Sequence, residues 1–323
     1  MSTLLDVKNL KKYYPVPNGT LHAVDDVSFT LAQGETLGIV GESGCGKSTL
    51  GKTILRLTNP TSGQVIYNGR DIAAISDKEF VQLRPELQMI FQDPMSSLNP
   101  RMSVKEQIEE PLLIYKRCPD RAEREKKVLE LMDTVGLARR YAEMYPHELD
   151  GGRRQRIGIA RGLSLEPKLI VCDEPVSALD VLIQAQILNL LMDLQKEKGL
   201  TYMFITHDLS VVKHISNNIC VMYLGQIVEQ CETRRLFSHT LHPYTKALLS
   251  AIPVPSLKNR RERILLKGEL TSPINPKKCC RFAPRCIYAT EECFGAAPEL
   301  KDVGNGHKVA CHRAAELNDL NDT

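Results

Sequence analysis

Gly41-Glu-Ser-Gly-Cys-Gly-Lys47-Ser48-Thr49 constrains this chain more than any other stretch. It fills the pattern G-x-x-x-x-G-K-[S/T], and its surroundings suit it. The apolar run Leu37–Val40 leads in like a strand, and Leu50–Leu57 leads out like a helix. Gly41, Gly44 and Gly46 let the backbone curl so that successive N–H groups, from Ser43 through Cys45 to Thr49, face phosphate oxygens beside a helix N-terminus. Lys47 reaches the outer phosphates, and the Ser48 hydroxyl suits Mg²⁺. A plain glycine-rich turn leaves the Lys-Ser-Thr that follows unexplained, so nucleotide binding is expected.

The chain of 323 residues is long enough for one large domain and a smaller one. Its 42% apolar and 25% charged residues are ordinary for a globular protein. A net charge of +3 without a long basic run argues against nucleic acid as a partner. Lys11-Lys12, Arg139-Arg140 and Arg260-Arg261 read as solvated faces. No apolar run approaches the length of about 18 residues that reads as a membrane span. The N-terminus lacks the charged-then-apolar form of a signal peptide. A cytosolic chain is expected, with any membrane role coming through a partner. The ten cysteines are uneven: Cys45, Cys118, Cys172, Cys220 and Cys231 are scattered, whereas Cys279, Cys280, Cys286, Cys293 and Cys311 crowd the end. In a reducing compartment such a cluster reads as metal ligands before disulfides.

Strand patterns cover Leu4–Leu10, Leu21–Leu31, Gly63–Gly69, Leu169–Cys172 and Tyr202–Thr206, and Ile219–Tyr223 with Gln226–Glu229 flank Leu224-Gly225 as a hairpin. Helical periodicity dominates from Ser103 to about Gly162, with Arg121–Leu137 the clearest helix, and Ile183–Lys198 is another. Strands alternating with helices imply an α/β fold with a parallel core sheet, a helical insertion and an antiparallel edge. Beyond His242-Pro243 the prolines at 253, 255, 273, 276, 284 and 298 break regular structure, which puts a boundary near residue 255.

Further elements narrow the class. Leu169-Ile-Val-Cys-Asp173-Glu174 is an apolar strand ending in two carboxylates, one suited to the Mg²⁺ shell and one to the attacking water. Around it stand Gln92 in Ile90-Phe-Gln-Asp-Pro94, the run Glu148-Leu-Asp150-Gly151-Gly152-Arg153-Arg154-Gln155-Arg156, Asp180 after Pro175-Val-Ser-Ala-Leu, and His207 after Met203-Phe-Ile-Thr206. Singly, Gln92 reads as a surface amide and His207 as a loop histidine. In this order and spacing the set resembles the ATP-binding subunits of ABC transporters over almost the whole chain. The resemblance implies a P-loop ATPase core with an antiparallel β subdomain and a helical subdomain at about 101–165, together making residues 1–255. It implies that Tyr14, rather than Tyr13, stacks on adenine, and that Gln92 senses Mg²⁺ and water. It implies too that Asp150, Gly151, Gly152 and Arg153 close over the ATP of a second subunit, that Asp180 lies on the dimer interface, and that His207 contacts the γ-phosphate. Ser48, Gln92 and Asp173 would hold Mg²⁺, with Glu174 catalytic.

Two features depart from or extend that pattern. The family signature usually reads Leu-Ser-Gly-Gly-Gln, where this chain has Leu149-Asp150-Gly151-Gly152-Arg153. Asp is as good an N-cap as Ser, but a carboxylate facing phosphate about 4 Å away costs about 4 kcal/mol at an effective dielectric of about 20. The expectation is a weakened site on a partner subunit, with Arg153 and Arg154 offsetting part of the repulsion. The end of the chain spells Cys280-x5-Cys286-x6-Cys293-x17-Cys311. Four cysteines suit Zn²⁺ or an iron–sulfur cluster, although the paired knuckles of zinc sites are missing. With His239–Ser250 and Cys280-Arg-Phe-Ala-Pro-Arg-Cys286, this region, 256–323, resembles the oligopeptide/dipeptide importer branch, where a matching motif is associated with a [4Fe–4S] cluster. Cys279, His307 or His312 are alternative ligands, and zinc is the alternative metal. The resemblance implies two membrane permease subunits, an extracellular solute-binding protein and a homologous but different ATPase subunit as partners, at the cytoplasmic face of the membrane. Nickel or another small solute is a second reading of the cargo. A soluble ABC ATPase would need two cassettes or a long coiled coil, and a non-hydrolysing iron–sulfur regulator is disfavoured by Glu174 and His207.

Overall fold

A computed structural model describes residues 2–252, 263–266, 268 and 271–318. The boundary expected near 255, with Pro253, Pro255 and Arg260-Arg261, lies outside these residues. In chain order the strands are β1 (Thr3–Val16), β2 (Gly19–Ala32), β3 (Thr36–Val40), β4 (Ser62–Tyr67), β5 (Arg70–Asp71), β6 (Leu87–Ile90), β7 (Leu169–Asp173), β8 (Thr201–Thr206), β9 (Asn218–Tyr223), β10 (Gln226–Glu232), β11 (Lys301–Asp302) and β12 (Lys308–Val309). They fall into two compact units. One is built mainly from residues 75–204, and the other from 2–31, 36–74 and 205–323.

The first unit holds β6 and β7 as parallel neighbours, with Leu87 opposite Leu169 and Ile90 opposite Cys172. Strand β7 is buried along its whole length, which is why it reads as a continuous apolar run rather than an alternating one. The helices Val104–Ile114, Arg121–Thr134 and Gly151–Leu163 follow one another in the chain. Each start is written in the sequence. Ser103 and Glu106 form a reciprocal capping box, and Asp120 accepts the Glu123 N–H at 2.9 Å.

Two helix ends differ from the apolar periodicity, for one reason. The helix expected to reach Leu137 stops at Thr134. Gly136 turns left-handed with φ 66°, and the Leu137 N–H returns to the Met132 carbonyl at 2.8 Å. This closing motif puts an apolar residue just beyond the helix, so Leu137 keeps the period without being helical. The helix expected over Leu50–Leu57 runs Lys47–Ile54, and its end repeats the motif: Arg56 has φ 48° and the Leu57 N–H bonds Lys52 at 2.9 Å. The helix expected from Ile183 starts at Val181, because Asp180 caps it through the Ile183 N–H at 3.0 Å.

In the second unit one antiparallel sheet has the order β2-β1-β4-β5, with Leu5 opposite Tyr67 and Val7 opposite Val65. The other runs β11-β12-β10-β9-β3. Here β3 and β9 are parallel, whereas β9 and β10 form the antiparallel hairpin. The end of the chain is woven into both sheets. Residues around Ile274 bridge to Leu21, and β12 extends the β10 edge with Val309 opposite Glu229.

One buried polar cluster fixes that extension. Both oxygens of Glu229 are used, accepting the N–H groups of Leu241 at 2.8 Å and His242 at 3.1 Å. His307 lies 2.8 Å from the same carboxylate through Nε2, while Arg235 donates to its Nδ1 at 3.1 Å. An imidazole that accepts at Nδ1 carries its proton on Nε2, so it is neutral and relays Arg235 to Glu229. Glu229 and His307 are fully buried. Replacing Glu229 by Ala orphans three donors away from water and is expected to cost about 3–5 kcal/mol, read as a lower urea midpoint with an unchanged slope. A smaller loss with Gln is expected, since it keeps an acceptor.

Candidate functional site

In the second unit, β3 ends at Val40 and residues 41–46 lead into the helix Lys47–Ile54. Gly46 caps this helix with φ 104°, and a Cβ there would lie 2.0 Å from the Ala23 carbonyl oxygen, so no other residue fits. The Gly225 N–H donates to the Cys45 carbonyl at 2.8 Å, tying the loop to the β9–β10 turn. Lys47 is buried and donates to the carbonyls of Gly41 and Glu42, each at 2.9 Å. Ser43 and Gly44 are exposed at the loop tip, with Ser48 and Thr49 half-buried behind them. Cys45 is buried, and desolvation pushes its thiol above the usual range, leaving it a neutral packing group.

The two tyrosines of β1 have different surroundings. Tyr13 stacks on His22 with ring centroids 3.9 Å apart and donates its hydroxyl to Asp25. Burial alone would raise the Asp25 carboxyl, but hydrogen bonds from Tyr13 and His22, together with Arg281, hold it below the ordinary range. Tyr14 is half-buried beneath the Lys12 ammonium, 4.7 Å from its ring centre. His207 is exposed directly after β8, and the next residue, Asp208, caps the helix Leu209–Ile215.

In the first unit, β7 delivers buried Asp173 and then Glu174. Glu174 has φ 45°, a left-handed conformation that strains a non-glycine residue. Its carboxylate accepts a hydrogen bond from the Gln92 amide at 3.1 Å, so two residues 82 positions apart meet. Asp150 caps the helix Gly151–Leu163 by accepting the Arg153 N–H at 2.8 Å, and its other oxygen pairs with the Arg153 guanidinium. The arginine at 153 therefore offsets part of the charge of the aspartate at 150, in a pair that remains about half exposed. Arg161 on the same helix donates to the Ser97 carbonyl at 2.6 Å, a contact no motif announces. Beside Asp180, the aliphatic Val181 and Leu182 are 80% and 76% exposed.

At the end of the chain, Cys280, Cys286, Cys293 and Cys311 line one pocket of the second unit, together with Phe282 and His312. Cys279 is not among its walls, and His307 is engaged by Glu229 and Arg235 instead. The Cys280 N–H bonds the Cys293 carbonyl at 2.9 Å, which fixes the first of these cysteines against the third. Burial pushes the Cys280 thiol up to about 11 and raises Cys286 and Cys311 as well. Among the described residues, no group of three or more His, Cys, Asp or Glu side chains is arranged to hold a metal ion. No described helix is long and apolar enough to cross a membrane.

A strand-to-helix phosphate loop with a buried lysine, and a strand ending in Asp-Glu with a glutamine on the glutamate, are the parts of a P-loop ATPase. Residues 24–177 match the family described as ABC transporter, and residues 228–293 match the oligopeptide/dipeptide transporter C-terminal region. The chain is 52% identical to the oligopeptide transport ATP-binding protein AppF of Bacillus subtilis (strain 168), covering 96% of this chain and 97% of that protein. It is 51% identical to the dipeptide transport ATP-binding protein DppF of Haemophilus influenzae, covering 95% and 96% respectively. The ATP-binding cassette MJ0796, solved as a dimer bound to ADP and Pi, superposes with a TM-score of 0.66 at 31% identity, over 72% of this chain and 99% of that one. The chain belongs to the ABC transporter family, in its oligopeptide/dipeptide branch, and is an ATP hydrolase.

The signature geometry generates a test. Asp150→Ser, measured in the assembled transporter, is expected to raise ATP turnover because it removes a carboxylate from the signature. Unchanged turnover would mean that the Asp150–Arg153 pair is electrically silent.

Proposed function

We propose that this chain powers import of di- and oligopeptides by an ABC transporter, paired with a different but homologous ATPase subunit. The observation that carries the reading is the oligopeptide/dipeptide C-terminal region following an ABC core in one chain. Relatives at about half identity over nearly full length, named for oligopeptide and dipeptide transport, support it and do not favour nickel. Two membrane permeases and an extracellular solute-binding protein complete the assembly, and the chain sits peripherally on the cytoplasmic face of the membrane.

The residues take the following roles. Backbone N–H groups of residues 41–49 and the Lys47 ammonium hold the ATP phosphates, while Tyr14 stacks on the adenine. Ser48, Asp173 and Gln92 serve the Mg²⁺, which neutralises phosphate charge when bound. Glu174 orients or deprotonates the attacking water, and its hydrogen bond to Gln92 fixes that carboxylate. His207 contacts the γ-phosphate. Asp150, Gly151, Gly152 and Arg153 meet the ATP of the partner subunit. Asp180 lies on the same dimer face, with the neighbouring exposed aliphatic pair supplying apolar area for it.

The four pocket cysteines are proposed to bind a [4Fe–4S] cluster. One pocket walled by four thiols supplies the right donor set. The same four thiols could instead take a single tetrahedral zinc, which is the alternative metal.

Cells carrying Glu174→Gln are expected to lose uptake of labelled peptide while nickel uptake is unaffected. Loss of nickel uptake with peptide uptake intact would move the cargo to the other reading. Protein purified without oxygen is expected to hold about four irons and four sulfides per chain. Zinc, or no metal in folded protein, would remove the cluster.

A further inference from the structure

We infer that Arg285 is a positioning residue for the phosphate loop: it holds and neutralises the Glu42 carboxylate, and so lets the end of the chain help set ATP affinity. The inference rests on reading residues 41–49 as the ATP phosphate loop.

Glu42 is the second residue of that loop, and each of its polar groups is held. Its carbonyl accepts from Lys47 at 2.9 Å, and its N–H donates to the Tyr244 hydroxyl at 2.9 Å. Its carboxylate is forked by Arg285, with Nη1 to Oε2 at 2.6 Å and Nη2 to Oε1 at 3.1 Å. Two of these three restraints come from residues about 200 or more positions later in the chain. Arg285 is only 11% exposed and Glu42 28%, so the pair is shielded and more than a loose surface contact. The guanidinium also lies 5.9 Å from the centre of the Tyr223 ring, within the Tyr223–Tyr244–Phe282 aromatic cluster.

The electrostatic logic is direct. A loop that gathers amide dipoles and a lysine to attract phosphate works against any carboxylate it carries. Arg285 cancels that charge and fixes its direction. A second arginine braces the other end of the loop: Arg281 donates to Asp25 and to the Leu224 carbonyl. Next to Leu224, the Gly225 N–H holds the Cys45 carbonyl at 2.8 Å, and its own carbonyl accepts the Asp25 N–H at 2.8 Å. Both arginines lie between Cys280 and Cys286, the first two cysteines of the pocket. The segment that walls the pocket therefore touches the phosphate loop directly at Glu42, and supports its other end only at one remove, through the Leu224–Gly225 turn and Asp25.

The test measures the ATP dissociation constant and melting temperature of the full-length chain. Arg285→Ala leaves the Glu42 charge uncompensated and should raise the constant roughly tenfold. Arg285→Lys keeps the charge and should retain most of the affinity. Adding Glu42→Gln to Arg285→Ala should bring the constant back to within about threefold of the unmodified chain, which a purely structural arginine would not permit. An unchanged constant in Arg285→Ala, or a defect that Glu42→Gln fails to reverse, would overturn the inference. Absence of ATP binding by the unmodified chain would overturn both the inference and the loop reading beneath it.

Discussion

Amide dipoles aimed at a common point repel one another, and a phosphate loop keeps them aimed only while its surroundings prevent relaxation. Here the surroundings are largely backbone. The Ala23 carbonyl presses on Gly46, the β9–β10 turn holds the Cys45 carbonyl, and the Tyr244 hydroxyl holds the Glu42 N–H. Close packing of this kind admits no extra atom at residue 46. It also makes the site dependent on strands whose sequences carry no chemistry of their own.

That dependence explains what the sequence could and could not disclose. Gly41–Thr49, Asp173-Glu174 and the Asp cap at 150 were legible because their geometry is local, whereas the Asp180 cap went unread and the helix was expected two residues late. A turn, a strand end or a helix start is specified by the residues that form it. Gln92 was assigned to the site through the family resemblance alone, and its hydrogen bond to Glu174 was not anticipated, since a single amide 82 residues away signals nothing by spacing. Arg161, Arg281 and Arg285 were invisible because one arginine among many has no period. The helix ends at Thr134 and Ile54 misled for a definite reason: apolar residues after a left-handed cap continue the helical pattern without the helix.

The cysteines divide by environment rather than by position. Cys172 and Cys220 are fully buried in strands, where desolvation lifts their thiols far above the usual range and leaves them as apolar filler. The four near the end of the chain line one pocket, Cys293 on the short helix Glu291–Gly295 and Cys286 just after a single turn of tighter helix.

The second unit is assembled from residues 2–31, 36–74 and 205–323, and the long piece between them belongs mainly to the first. A chain leaving the ribosome N-terminus first presents its phosphate loop early and the residues that brace it late. Tyr244, Arg281 and Arg285 emerge some 200 or more residues after Glu42. The phosphate loop of the nascent chain is thus made long before its braces, and it gains the last of these contacts only once residue 285 has been added.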